Sequence, residues 1–416
     1  MMPMNLSFVC IVSIACFAIM LPSVVRADKP ALVNVRAALE SGQQPVKIVC
    51  LGDSITGIYY HTGGRRAWPE MLGIALKQIY PHSNAVIVNS GLSGDTTIGA
   101  LARLGRDVLV HQPDVVVVMF GMNDMVDQPL DQFRENLLKI VQLSQASGAA
   151  VVVSTHNSIM DADTTGDRTN RKLAEFADVI RHVGRSEQVP VANCYAAYES
   201  IRARDEGTWL MLLSDPFHPN MNGHKRIAEQ VAAAITGKST SLEDVGPPAP
   251  SIPKTLRLLQ AGKPVTVLAM PPYDRWIDKA LRAAFPTAEI KATPWPIEGK
   301  TAAELMVTTA REANADLVVV AVPLEITPRD ELSCWQFYSR LLNNALSFNR
   351  QEWDVIVIPP SLTQAQLSAE DRRRDGVVRR VIAAQDLGSI DRMPNDTAEE
   401  VDLLTKWVKE QIRLAE

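Results

Sequence analysis

The sequence predicts an α/β protein with two successive units, each built around a parallel sheet. From residue 46 to about residue 238, short apolar runs alternate with longer amphipathic stretches. A segment rich in Pro, Ser and Gly follows, and a similar alternation then begins again. The chain has 416 residues, of which 46% are hydrophobic and 21% charged. That length is enough for two cores of ordinary domain size, roughly 100 to 200 residues each.

The first residues differ from the rest of the chain. Residues 8–25 are apolar and almost uncharged, and Ala27 ends a Val-Arg-Ala tripeptide typical of a cleavage site. We therefore predict a signal peptide over residues 1–27 and an exported protein, secreted or periplasmic. Residues 1–7 contain no Lys or Arg, so a retained membrane anchor of marginal length is the alternative. A lipoprotein signal at Cys10 or Cys16 is disfavoured because the apolar run continues past both.

The first unit, predicted over residues 28–238, has strands that are rich in Val and Ile, as in a parallel sheet covered on both faces. The predicted strands are 46–51, 85–89, 114–120, 149–154 and 189–193. The predicted helices between and after them are 68–79, 97–109, 130–147, 170–186 and 223–236.

The second unit, predicted over residues 255–416, follows a linker at 239–254 and echoes the first in order. Residues 256–270 resemble 35–51, Gly299 lies in a pattern like that around Gly94, and Asp316 precedes a strand as Asp114 does. We interpret the second unit as a diverged copy of the first. Two unrelated α/β domains with generic patterning are the alternative.

Charge and cysteine content narrow the function. A formal net charge of -5 gives no electrostatic reason to bind nucleic acid or an anionic membrane surface, so we expect neither partner. Beyond the predicted signal peptide, Cys50, Cys194 and Cys334 are widely spaced and form no C-x-x-C pair. They predict neither a disulfide framework nor a zinc site. Cys50, inside an apolar run, is expected to be a small buried residue.

Candidate catalytic residues follow the predicted strands or lie in a late loop. Ser54 ends the tripeptide Gly-Asp-Ser just after the first strand, where open α/β sheets place their sites. Gly94 lies in Ser-Gly-Asp-Thr, Asn123 in Gly-Met-Asn-Asp, and Asp215 and His218 in Asp-Pro-Phe-His-Pro. Each block alone is compatible with an ordinary turn. Their joint presence, in this order, favours one site.

In these four blocks the chain resembles the SGNH (GDSL-like) hydrolase superfamily, which includes periplasmic esterases, lysophospholipases and carbohydrate O-acetylesterases. The resemblance covers roughly residues 46–236. It implies a flavodoxin-like three-layer α/β/α sandwich with a parallel sheet, and a serine hydrolase that acts on carboxylic esters. It also implies that no metal or organic cofactor takes part.

The resemblance implies a role for each residue. Ser54 would be the nucleophile, His218 its base and Asp215 the carboxylate that orients the imidazole, since a serine hydroxyl needs such a base at neutral pH. The Ser54 and Gly94 N–H groups and the Asn123 amide would form the oxyanion hole. Asp53 is expected to support the turn, and the loop 59–66 to line the substrate cleft, with its arginines carrying solvated surface charge.

The second unit is predicted to be a pseudo-enzyme domain. Pro271 stands where the first unit has Ser54, Met393 stands where it has His218, and no histidine follows His224. This domain could pack against the first, bind a ligand or anchor the protein.

The resemblance and the predicted export imply carbohydrate O-acetyl esters as the substrates of the first unit, with lysophospholipid or another short acyl ester as the main alternative. From a different class, the whole protein could be a non-catalytic carbohydrate- or envelope-binding module.

Overall fold

The computed structural model describes residues 32–161, 168–364, 366–392 and 396–416. The predicted signal peptide and Met393 lie outside the described residues. Two hydrophobic cores form, each around one parallel sheet. We call residues 32–245 the N-terminal unit and residues 252–416 the C-terminal unit. Within the described part of the chain, no helix combines the length and the apolar character needed to cross a membrane.

The sheet of the N-terminal unit has five parallel strands in the order β2-β1-β3-β4-β5. Its central strands β3 and β4 consist mainly of valine and are buried throughout, because helices cover both faces of the sheet. The strands are β1 Val46–Gly52, β2 Ala85–Gly91, β3 Val115–Met119, β4 Ala150–Ser154 and β5 Val191–Ala192.

Helices form the two outer layers of this unit. Helices α1, α2 and α9 pack together on one face, and α3, α5 and α6 pack together on the other. The bounds are α1 Leu32–Ser41, α2 Trp68–Ile79, α3 Thr97–Asp107, α4 Asp124–Asp127, α5 Leu130–Ala146, α6 Asn170–Glu187, α7 Cys194–Arg204, α8 Glu206–Leu210 and α9 Met221–Thr236. Short 3₁₀ turns occur at Tyr60–Thr62 and Leu109–His111.

The predicted α/β/α architecture is confirmed, with local differences. The predicted fifth strand, 189–193, shortens to Val191–Ala192, because only these two residues pair with β4 and helix α7 begins at Cys194. Helices α7 and α8 were not predicted. The burial pattern of α7 explains why, since only Cys194 and Tyr198 of its residues are buried and it carries little amphipathic signal.

The C-terminal unit contains a smaller parallel sheet in the order β7-β6-β8-β9. Its strands are β6 Val265–Ala269, β7 Ile290–Pro294, β8 Leu317–Val320 and β9 Asp354–Val357. Its helices are α10 Pro253–Gln260, α11 Tyr273–Ala284, α12 Ala302–Leu305, α13 Glu331–Ala345, α14 Pro360–Thr363, α15 Ala369–Ala384 and α16 Glu400–Ala415.

Backbone details repeat between the two units. The order β7-β6-β8-β9 matches β2-β1-β3-β4 of the first sheet. Gly94 and Gly299 have nearly the same left-handed backbone, with φ of 74° and 73°. Asp114 accepts a hydrogen bond from Lys47 N–H at 2.7 Å, and Asp316 accepts the equivalent bond from Thr266 N–H at 2.9 Å. These shared details support our inference of an internal duplication.

The segment predicted as a linker is packed at both ends. Leu242 is fully buried in the core of the N-terminal unit, and Ile252 is fully buried in the core of the C-terminal unit. Pro248 and Ser251 lie between these two anchors, and their carbonyl groups accept hydrogen bonds from Arg65. The segment therefore lies along the boundary between the units as an attached strap.

Candidate active site

Ser54 lies in a tight turn directly after β1. The carbonyl of Asp53 accepts hydrogen bonds from the N–H groups of Thr56 and Gly57, and its carboxylate accepts one from Ile55 N–H at 2.9 Å. A Cβ on Gly52 would lie 2.1 Å from the Thr56 hydroxyl oxygen and 2.8 Å from the Met119 carbonyl oxygen. Only glycine therefore allows the strand to turn this closely. Asp53 supports the turn, as the sequence predicted.

Asp215 and His218 lie in a loop that closes on itself before α9. The backbone of Ser214 donates to the His218 carbonyl at 2.9 Å, and Leu213 pairs with Pro219 in an antiparallel bridge. Asn220 then caps α9 by accepting from two N–H groups in its first turn. One oxygen of Asp215 accepts the N–H groups of Phe217 and His218, both at 2.9 Å. These two backbone hydrogen bonds fix the Asp215 carboxylate beside the His218 ring.

The structure brings the three predicted catalytic side chains into one chain of contacts. Ser54 Oγ lies 3.0 Å from His218 Nε2, and His218 Nδ1 lies 2.8 Å from Asp215 Oδ2. Burial alone would raise the pKa of Asp215, but the charge and hydrogen bonds of His218 outweigh it and hold that pKa well below its ordinary value. Burial likewise acts to lower the pKa of His218, yet Asp215 raises it overall. The carboxylate therefore stabilises the protonated imidazole.

The loops that carry Gly94 and Asn123 meet beside this turn. Leu92 N–H donates to the Gly52 carbonyl at 3.0 Å, which ties the end of β2 to the end of β1. The Asn123 amide donates to the Asp95 carbonyl at 2.9 Å, which joins the two loops. Gly94 has a φ of 74°, and no atom lies within 4 Å of a Cβ built on it. A side chain at residue 94 would therefore meet open space, and it is the positive φ that favours glycine there.

Two buried charged side chains hold these loops and were not among the predicted site residues. Arg103 donates to Asp95 at 2.7 Å and to the Gly52 carbonyl at 3.0 Å. Asp124 accepts from Thr97 N–H at 2.8 Å and from Gly121 N–H at 3.0 Å. Burial raises the pKa of Asp124 despite these bonds. The sequence signal for Asp124 was its place next to Asn123, whereas Arg103 sits within a helix and carried none.

Tyr60, in the loop 59–66 that was expected to line the substrate cleft, also contacts the Asp215 carboxylate, a contact that the sequence did not indicate. Its hydroxyl donates to Asp215 Oδ2 at 3.0 Å, the same oxygen that meets His218. Burial and the neighbouring Asp215 charge raise the pKa of Tyr60, so the phenol stays protonated and remains a donor.

A stack of imidazole rings supports His218 and Ser54. The His61 ring lies between His218, at 4.7 Å between centroids, and His224, at 5.4 Å. Trp68 N–H donates to His224 Nδ1 at 3.0 Å, so a neutral His224 carries its proton on Nε2. That nitrogen faces His61 Nδ1 at 3.4 Å, which leaves His61 Nε2–H to donate to the Ser54 carbonyl at 3.2 Å. One backbone N–H thus sets the tautomers of both rings.

Burial keeps His61 and His224 uncharged. It lowers the pKa of His61 well below the ordinary value and that of His224 to about 3, and the charge of a protonated His218 lowers both further. The sequence placed His61 in the loop expected to line the substrate cleft, but it indicated neither its stacking on His218 nor any contact of His224 with the site. Their partners lie far away in the chain, and a lone histidine at a helix start carries no signal of such a contact.

Asp53 and His156 form a buried pair next to Ser54. Asp53 Oδ2 lies 3.3 Å from His156 Nε2, and both side chains are fully buried. Burial raises the pKa of Asp53 to about 7 and lowers that of His156 to about 3. Desolvation therefore favours the neutral forms of both groups next to Ser54.

The prediction for the two arginines in the loop 59–66 is wrong. Its arginines were expected to carry solvated charge beside the substrate, but both contact the C-terminal unit and the strap. Arg65 donates to Gln351 at 2.5 Å and to the Ser251 carbonyl at 2.6 Å, and Arg66 pairs with buried Asp386. The sequence could not indicate this, because every partner lies beyond the end of the N-terminal unit.

A cavity of about 570 Å³ lies between the units on the Asp215 side of the site. The N-terminal unit contributes Tyr60 and Asp215 to its lining, and the C-terminal unit contributes Arg311, Trp335 and Phe348. Residues of the C-terminal unit therefore line the same cavity as Asp215.

The corresponding edge of the second sheet carries different chemistry. Pro271 and Pro272 follow β6, and Tyr273 behind them is buried at the start of α11. A cavity of about 400 Å³ opens there, lined largely by apolar residues. No serine follows β6 at the place of Ser54.

Cysteine and metal chemistry can be described for the same residues. Cys50, Cys194 and Cys334 are free and buried, so the expectation for Cys50 is confirmed. Across the described ranges, no group of three or more His, Cys, Asp or Glu side chains is arranged to hold a metal ion.

Comparisons with known proteins cover the N-terminal unit. A model described as the GDSL-like Lipase/Acylhydrolase family matches residues 50–226. The chain is 30% identical over 197 residues to an arylesterase of Vibrio mimicus, covering 47% of this chain and 90% of that protein. It is 24% identical over 208 residues to an acetylxylan esterase of Geobacillus stearothermophilus, covering 44% and 90%. It is 27% identical over 190 residues to a thioesterase, protease and lysophospholipase of Escherichia coli, covering 45% and 82%.

Proposed function

Because this chain belongs to the GDSL-like lipase/acylhydrolase family and is a carboxylic ester hydrolase, we propose that it cleaves esters through an acyl-enzyme formed on Ser54. The observation that carries the proposal is the chain of contacts from Ser54 Oγ to His218 Nε2 at 3.0 Å, and from His218 Nδ1 to Asp215 at 2.8 Å. Serine becomes nucleophilic when such a base stands within hydrogen-bond reach.

In the first half of the proposed reaction, Ser54 Oγ attacks the ester carbonyl while its proton passes to His218 Nε2. The carbonyl oxygen becomes an oxyanion, which accepts hydrogen bonds from Ser54 N–H, Gly94 N–H and the Asn123 amide. The intermediate then collapses, the bond to the alcohol oxygen breaks, and His218 returns the proton to that oxygen. The alcohol leaves and the acyl group remains on Ser54.

In the second half, water attacks the acyl-Ser54 ester and gives a proton to His218. The same three donors stabilise the second oxyanion, and its collapse releases the carboxylic acid while Ser54 Oγ recovers its proton. Throughout, Asp215 keeps the Nδ1 proton of His218 in place and stabilises the imidazolium when it forms. The Tyr60 hydroxyl and the N–H groups of Phe217 and His218 donate hydrogen bonds to that carboxylate and keep it in position.

We propose acetyl groups on carbohydrate as the substrate. The similarity to an acetylxylan esterase supports this choice, as does the predicted export of the protein. Longer acyl chains, as in a lysophospholipid, are the competing choice, supported by the similarity to the Escherichia coli thioesterase and lysophospholipase.

A series of p-nitrophenyl esters from acetate to dodecanoate separates the two substrate classes. We expect kcat/KM to be highest for acetate and to fall steeply for longer chains, and we expect acetate release from an acetylated xylo-oligosaccharide. Ser54→Ala is the control, and it should release neither product. Activity that rises toward octanoate and beyond would overturn the acetyl proposal and favour the lysophospholipid class.

Export is proposed on the sequence of residues 8–25 and Ala27. Expression of the full chain in a Gram-negative host should yield a mature protein outside the cytoplasm whose N-terminal sequence begins at Asp28. A product that keeps its first residues and sediments with membranes would instead indicate an anchor.

A further inference from the structure

Ser214, the residue directly before Asp215, is hydrogen-bonded to the C-terminal unit. Ser214 Oγ donates to Asn343 Oδ1 at 2.8 Å, and the Asn343 amide donates back to the Ser214 carbonyl at 3.1 Å. Gln385 donates to both Ser214 Oγ and Asn343 Oδ1, each at 2.9 Å. All three residues are buried, at 5%, 7% and 1% exposure. Together they form a closed polar cluster shared by the two units.

Every polar group of Ser214 has a partner in this arrangement. Its N–H donates to the His218 carbonyl at 2.9 Å, and its carbonyl and hydroxyl meet the C-terminal unit. The carbonyl of Ser214 belongs to the peptide bond that leads into Asp215. A displacement of that peptide would therefore move the carboxylate that faces His218.

A second route reaches the same carboxylate. Tyr60 donates to Asp215 Oδ2 at 3.0 Å, while its own N–H donates to the Phe348 carbonyl of the C-terminal unit at 3.1 Å. The rings of Tyr60 and Phe348 contact each other, with 5.7 Å between centroids, and the Arg311 guanidinium lies 5.7 Å from the Tyr60 ring centroid. The main chain of the C-terminal unit thus holds the donor to Asp215.

We propose that the C-terminal unit positions the Asp215 carboxylate, with Asn343 and Gln385 acting as positioning residues that hold Ser214 and thereby orient Asp215 toward His218. This proposal rests on the proposed function and assigns the second unit a role in the reaction of the first. The C-terminal unit has no serine at the place of Ser54 but has the same strand order, so a supporting role in the reaction of the N-terminal unit suits it. Its contribution is geometric, since neither residue touches the reacting atoms.

Two alanine variants one position apart on α13 provide the test. Asn343→Ala removes the hydrogen bonds to Ser214, whereas Asn344→Ala removes a bond to the Met306 carbonyl within the C-terminal unit. Both lose one asparagine side chain from the same helix. We expect kcat for p-nitrophenyl acetate to fall roughly 10- to 100-fold in Asn343→Ala, because misplacement of a catalytic group costs rate. KM should stay near the wild-type value, and Asn344→Ala should keep wild-type kcat.

A double-mutant cycle separates positioning from general loss of stability. Ser214→Ala removes the hydroxyl from the other side of the same contact, and the combined variant should lose little more kcat than Asn343→Ala alone. If Asn343→Ala does not fold, Ser214→Ala alone should still lower kcat without raising KM. Thermal unfolding and circular dichroism identify which variants fold.

Three outcomes would overturn the positioning role. These are equal kcat in folded Asn343→Ala and Asn344→Ala, a change confined to KM, and fully additive losses in the cycle. An inactive wild type would instead refute the proposed function, so the two failures can be told apart.

Discussion

At the residue scale, the proposed mechanism depends on the charges around His218. Asp215 is the nearest negative group, and it faces His218 Nδ1 while Ser54 faces Nε2. Because a carboxylate raises the pKa of an imidazole and sets its tautomer, removing the charge affects both the pH profile and the rate. The neutral His61 ring stacked on His218 adds no competing charge.

Asp215→Asn should therefore change activity in two ways. In the wild type, kcat/KM should fall as the pH drops through a His218 pKa above the ordinary imidazole value, because the protonated ring cannot accept the Ser54 proton. In Asp215→Asn that limb should move to lower pH, and kcat should fall by roughly 10³- to 10⁴-fold. Initial rates across a pH series check both changes. An unmoved acid limb would mean that another group controls the activity.

Some of these residues could be predicted from sequence and others could not, for a physical reason. Ser54, Asp215 and His218 lie in short blocks whose residue types suit the chemistry. Tyr60 and His61 lie in the loop that was expected to line the cleft, but their contacts with Asp215 and Ser54 depend on how distant parts of the chain pack together. Local sequence carries no record of such distant partners.

At the scale of secondary-structure elements, the starts of α2 and α9 are joined through His224. Trp68, the first residue of α2, donates its N–H to the imidazole of His224 in the first turn of α9. That N–H has no partner within its own helix, so a buried acceptor from another element satisfies it. Both helices were predicted within a few residues of their observed bounds, but this junction depends on how they pack.

His224→Asn tests the cost of keeping this imidazole neutral. The pKa of His224 is lowered to about 3 in the fold, so the unfolded chain binds the extra proton below the ordinary pKa near 6.5. Stability contributed by neutral His224 is thus fully present above that pH and is lost as the pH falls. Between pH 7 and pH 5, we expect the variant to lose about 2 kcal/mol less unfolding free energy than the wild type.

Urea unfolding at several pH values measures this difference. His182→Asn, at an exposed position on α6, is the matched control and should follow the wild type. Parallel pH curves for wild type and His224→Asn would show that the buried ring does not resist protonation.

At the scale of the whole molecule, polar contacts join the two units. Arg66 pairs with Asp386 at 2.5 and 2.8 Å, and the carboxylate is only 1% exposed. Gly63 allows this approach, since a Cβ there would lie 2.3 Å from the Gln385 carbonyl oxygen. The sequence predicted two units and the parallel sheet of each. It could not predict their interface, because the contacting residues carry no pattern that links one unit to the other.

Arg66→Gln should weaken this assembly. It leaves the buried Asp386 carboxylate without its charged partner, and breaking one side of such a pair typically costs about 3 kcal/mol. The midpoint of urea unfolding measures the loss. Arg106→Gln, at a pair whose arginine is 76% exposed, is the control and should change the midpoint little. Equal midpoints for the two variants would show that the interface pair does not hold the units together.

The central claim is that Ser54 is an activated nucleophile, and a fluorophosphonate probe tests it most directly. Such a probe reacts with an activated serine and leaves a stable phosphonyl ester. We expect one label per folded chain, mapped to Ser54 by mass spectrometry, and no label in Ser54→Ala or in denatured wild type. A folded wild-type protein that stays unlabelled, or one labelled at a different residue, would contradict the account.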